Sequence, residues 1–153
     1  MDKLKAVIQT KPSWIVFLIF TYIVILGVLK WRTTSDVTTV YYLVGGLIGV
    51  YFMDIAALLF DVSPSPFKSI IFVILFGAVS FFVVTSSGSM FARGMVLSVY
   101  LSLLLSQAED WQEYHNLDSW YVLLKNPPTL RIQQLIVMGT ALLLILETLI
   151  FIQ

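Results

Sequence analysis

Five apolar runs of helix length, separated by short polar connectors, leave this chain one way to satisfy its backbone. About 20 apolar residues at 1.5 Å rise per residue match the roughly 30 Å hydrocarbon layer of a bilayer. Inside that layer each N–H and C=O must be bonded within its own segment, so each run must form an α-helix. The first run, from Trp14 to Leu29, reads WIVFLIFTYIVILGVL, with Lys3, Lys5 and Lys11 before it and Lys30 and Arg32 after. No small-x-small cleavage site follows this basic start, so the segment is read as an uncleaved span rather than a signal peptide.

The expected spans are about 14–30, 40–60, 66–86, 90–107 and 130–152. In the third, Ser65 is the expected N-cap and Pro66 suits the first helical position. Spans three and four cannot be one helix, because roughly 40 residues would reach about 60 Å, twice the bilayer core. The Ser86-Ser87-Gly88-Ser89 stretch must turn there, with Gly88 permissive and Ser89 the next cap. Between spans four and five, residues 108–126 carry Glu109, Asp110, Glu113 and Asp118 among Trp111, Tyr114, Trp120 and Tyr121. Acids interleaved with aromatics read as an amphipathic helix lying flat at headgroup level, Trp111, Trp120 and Tyr121 facing lipid. The fold class is therefore an all-α integral membrane bundle, a single polytopic domain with one interfacial helix.

Composition closes off other classes. The chain is 59% apolar and 12% charged, outside the range of soluble domains, and nine basic residues balance nine acidic ones. That balance provides no basic face for nucleic acid. With no cysteine, thiolate metal sites, haem attachment and cysteine nucleophiles are excluded. An odd span count puts the termini on opposite sides. Lys3, Lys5, Lys11, Lys68, Lys125 and Arg131 fall on the N-terminal side, against Lys30, Arg32 and Arg93. The positive-inside rule then places the N-terminus in the cytoplasm and the C-terminus outside, in a prokaryotic cytoplasmic membrane.

Small residues mark where helices approach. Gly45 and Gly49 form a small-x-x-x-small pair in span two, and Gly94, Ser98, Ser102 and Ser106 form a four-step ridge in span four. Lipid offers no hydrophobic drive between helices, so such ridges report close packing rather than chemistry. Asp54 lies roughly 180° around its helix from Gly45, which assigns the acid and the glycines to different contacts.

Two polar heptads run in opposite directions: Arg93, Tyr100 and Gln107 in span four, Gln133, Thr140 and Glu147 in span five. Antiparallel spans would set Arg93 level with Glu147, Tyr100 with Thr140 and Gln107 with Gln133. The pairing reading is a brace across two helices. The bland reading lets Arg93 snorkel to the headgroups and Glu147 emerge at a helix end.

Asp54 is the deepest acid. It has a bland reading, paired with Lys68 or protonated, and a sharper one, a proton or cation relay. His115 stands among carboxylates, yet one imidazole is a poor metal site and no H-E-x-x-H spacing accompanies it. No catalytic, metal or cofactor-binding residue is assigned. The expected role is a non-enzymatic accessory, scaffold or assembly component, its partners the lipid bilayer and a larger membrane protein or a second copy. The alternatives are an oligomeric channel or transporter using Asp54, and a lipid-active enzyme at the Glu109 to Asp118 loop.

Overall fold

The computed structural model describes residues 11–32, 36–60 and 66–153. Among these residues the chain folds into five α-helices and one 3₁₀ turn. Helix α1 (Ser13–Trp31) starts directly after Pro12, and α2 (Val37–Phe60) starts where the Asp36 carboxylate accepts the Val37 amide at 2.7 Å. Helix α3 (Ile70–Ser86) is capped by Ser69, whose hydroxyl oxygen accepts the Phe72 amide at 3.2 Å. The expected cap, Ser65, lies outside the described residues. Pro66 contributes a turn instead of the first helical residue: its carbonyl accepts the Ser69 hydroxyl at 2.7 Å, closing the chain just ahead of the cap.

Helix α4 (Met90–Tyr114) is capped by Ser89, and its end is set by His115 in the left-handed region at φ 56°. It continues past residue 107 because extending a formed helix adds one backbone bond per residue with no new nucleation. Residues 108–114 therefore belong to α4, and Asp118–Tyr121 forms a single 3₁₀ turn. This stretch is an extension plus a turn rather than one flat-lying helix. Trp120 and Tyr121 are buried against α3 and α4, not turned to lipid. After Pro127 and Pro128, α5 (Leu130–Ile152) closes the chain.

Four of the helices, α1, α2, α4 and α5, are long and apolar enough to cross a membrane; α3, at 17 residues, is apolar but shorter. The fold is an all-helical bundle of membrane-integral character. Helix α4 is its axis and packs on all four others, most intimately on α2. One apolar cluster joins Ile15, Ile19 and Ile23 of α1 to Tyr42, Leu97, Tyr100, Leu144 and Phe151. A second gathers Met53, Val73, Val99 and Leu103 around Leu117, Trp120 and Tyr121.

Polarity in this bundle is inside out. On α5, Gln133, Thr140 and Glu147 are buried while Leu135, Leu142 and Leu149, offset by two positions, are exposed. A heptad step keeps residues on nearly one helical face, so the polar row turns to the bundle and the leucine row to the surrounding lipid.

Candidate functional site

The α2–α4 contact sets the geometry of everything polar in the bundle. A Cβ on Gly45 would sit 2.1 Å from the Phe91 carbonyl oxygen, and one on Gly94 2.2 Å from that of Tyr42. On Gly49 it would meet the Met95 carbonyl oxygen at 2.6 Å and the Ser98 Cβ at 2.8 Å. Gly45, Gly49, Gly94 and Ser98 thus share one interface in which two backbones touch. Ser102 and Ser106 extend the same ridge toward the end of the bundle where Asp54 lies.

There Asp54 meets Lys11, the residue preceding Pro12 at the entry to α1. The Lys11 ammonium lies 3.1 Å from Asp54 Oδ2 and donates to Ser102 Oγ at 2.8 Å and to the Val50 carbonyl oxygen. Two of the three ammonium donors are thus held by α2 and α4 oxygens, and the Asp54 carboxylate balances the charge as an ion pair. Among the described residues the ion-pair partner of Asp54 is thus Lys11 and not Lys68, the residue named in one of the two bland readings. It also shows how an acid on the far flank of the glycine face still reaches α4, through a side chain from the segment that enters α1. Beside the pair is a small cavity of about 120 Å³ bordered by Asp54, Lys68, Ser106 and Trp120.

The heptad rungs form differently from their sequence spacing. Glu147 is fully buried and accepts the Ser80 hydroxyl from α3 at 2.6 Å, while its Oε1 has no partner. Among the described residues Arg93 and Glu147 form no ion pair, and Arg93 Nε is buried without a hydrogen bond. Helix α3 lies against both α4 and α5, so its serine meets the acid first. At the middle rung the Tyr100 hydroxyl donates to the Thr140 backbone carbonyl at 2.9 Å, since the Thr140 hydroxyl is bonded to Val137 of its own helix. One residue beyond Glu147, Thr148 donates to the Leu144 carbonyl, which leaves the Tyr22 phenol to donate to Thr148 at 2.5 Å.

The third rung is absent. Gln133 reaches out of the bundle to hold the connector: its Oε1 accepts the Leu117 amide at 2.9 Å, and its Nε2 donates to Asp118 at 2.8 Å and to the Pro128 carbonyl at 3.0 Å. Gln107 is fully buried with neither amide atom bonded. Together with Trp120 Nε1 donating to Asp110 at 2.7 Å, the Gln133 bonds pull the connector onto the bundle. Burial there raises the Tyr121 phenol above its ordinary range. His115 is exposed and terminates α4, its Nδ1 3.3 Å from the Trp111 carbonyl oxygen. Among the described residues no three metal-ligating side chains come together.

No family model, curated protein or solved structure matches this chain. Its chemistry must therefore be read from the site alone. Sequence reasoning missed Lys11 and Ser80 as partners of the buried acids. Lys11 looked like one of several flanking lysines, and Ser80 like an unremarkable hydroxyl in an apolar run.

Proposed function

We propose that this protein is a non-enzymatic membrane component, an accessory or assembly subunit with five spans, its N-terminus cytoplasmic and its C-terminus outside. The observation that carries this reading is the anchoring of Lys11 between Asp54, Ser102 and Val50. An intramembrane acid used for ion passage must exchange its partner, yet Asp54 is ion-paired with an ammonium that is itself tied to the Ser102 hydroxyl and the Val50 carbonyl oxygen. Three further polar contacts support the same reading, since Ser80 with Glu147, Tyr100 with Thr140 and Tyr22 with Thr148 each tie one helix to another. Interhelical bonds of this kind are worth about 0.6–2 kcal/mol each and fix how helices sit. The outward faces of α1 and α5 remain available to lipid or to a larger membrane protein.

The test is affinity capture of the tagged chain from its native membrane in mild detergent. A constant stoichiometric membrane partner supports the proposal; a lone monomer in every extraction condition opposes it. A transport reading draws on the cavity beside Asp54 and on the unbonded Oε1 of Glu147. Vesicles loaded with a pH dye separate the two. Proton or cation flux abolished by Asp54→Asn would favour transport, and no flux in either orientation would favour the accessory role.

A further inference from the structure

Among the described residues, Gln107 is the buried side chain that leaves both of its polar atoms unbonded. A buried amide left without partners costs about 1–3 kcal/mol, and native structures seldom keep one without reason. Gln107 has zero exposure, and both its Nε2 and its Oε1 are unbonded. It also lines a cavity of about 410 Å³ between α4 and α5. No hydrogen bond fixes its terminal torsion, so a change of that torsion would bring the amide to the cavity it lines.

We propose that this cavity binds the uncharged, hydroxyl-bearing headgroup of a membrane lipid, with Gln107 as its hydrogen-bonding base. The lining argues for the ligand class. Gln107 and Trp111 stand one turn apart on α4, Gln134 and Met138 one turn apart on α5, and Gln112 adds a third amide. An amide both donates and accepts, which matches hydroxyl groups, and an indole face covers the C–H side of a polyol. None of the lining residues carries a charge. A phosphate would enter without a cation to receive it, which is unfavourable in a partly buried site. The position argues for a lipid rather than a soluble polyol. Met138 is 60% exposed and continues the outward row of Leu135 and Leu142, so a headgroup at Gln107 would leave its acyl chains along an apolar helix face.

The experiment is native mass spectrometry of the full chain in a polyoxyethylene detergent, which has no sugar headgroup to compete. The protein is equilibrated with monoglucosyl diacylglycerol, diacylglycerol and phosphatidylglycerol of identical acyl chains. Wild type should retain one or both neutral lipids about tenfold over phosphatidylglycerol, a factor corresponding to one buried hydrogen-bonded amide. Which neutral lipid dominates tells whether a sugar or a glycerol hydroxyl is read. Gln107→Leu should lose the preference while melting at the same temperature or higher, because it removes an unsatisfied buried amide. Ala108→Trp, which fills the cavity from its exposed lip, should lose it as well. Equal retention of phosphatidylglycerol by wild type, or an unchanged preference in both variants, would overturn the proposal.

Discussion

The Lys11 ammonium lies 3.1 Å from the Asp54 carboxylate, fastening the entry of α1 to α2 and, through Ser102, to α4. The Lys11 side chain is 9% exposed and that of Asp54 24%, so water screens the pair only in part. Removing one partner of a buried pair leaves the other charge uncompensated, at about 3–5 kcal/mol. Asp54→Leu should fall at the lower end of that range, because its site is a quarter open. Lys11→Met combined with Asp54→Leu should recover most of the loss. Unfolding of the four proteins in detergent, analysed as a double-mutant cycle, measures the coupling. Additive losses would mean the pair is not a brace.

Charge reversal separates two accounts of Glu147. If Arg93 were its partner, reversing both residues would rescue what either reversal alone destabilises. With Ser80 as the partner, the Arg93→Glu and Glu147→Arg effects should add to within about 0.5 kcal/mol. Glu147→Gln should be tolerated to within about 1 kcal/mol, because its carbonyl oxygen still accepts the Ser80 hydroxyl. A rescue by the double reversal would refute this arrangement.

Two glycines make opposite predictions. A Cβ on Gly94 would fall 2.2 Å from the Tyr42 carbonyl oxygen, a backbone atom that cannot swing aside. Gly94→Ala should therefore separate α2 from α4 and cost about 1–3 kcal/mol, as overpacking does. A Cβ on Gly139 meets nothing within 4 Å. Gly139→Ala should be neutral or stabilise by up to about 1 kcal/mol through helix propensity. Thermal unfolding of the two variants side by side provides the comparison.

Gln133 supports the connector from below. Gln133→Leu would leave the buried Leu117 amide without an acceptor, at about 1–3 kcal/mol. The cost should be local: limited proteolysis should cleave residues 115–126 faster while α4 and α5 stay intact. Uniform protection of this stretch in wild type and variant would show that other contacts hold it.

Much of the helical architecture was legible because a bilayer makes it a local problem. Apolar runs must bond their own backbones, and Gly94 and Ser98 at four-residue spacing must share a face whatever lies opposite. The buried row of Gln133, Thr140 and Glu147 follows from the same periodicity. The connector was less legible. Trp120 and Tyr121 look amphipathic in sequence, but Asp110 and Gln133 bond the turn that carries them and fold it inward.

What the sequence determined by itself is which residues line each face of each helix, since periodicity is a property of one segment. What only the tertiary structure decided is who stands opposite. Sequence spacing set Arg93 level with Glu147, but the packing of α3 against α4 and α5 brought Ser80 to the acid instead. The packing of α1 and α2 on α4 gave Asp54 to Lys11, and that of α4 and α5 left Gln107 beside a cavity. Partner choice depends on helix adjacency and rotation about the helix axis, and neither is written into the period of a single helix.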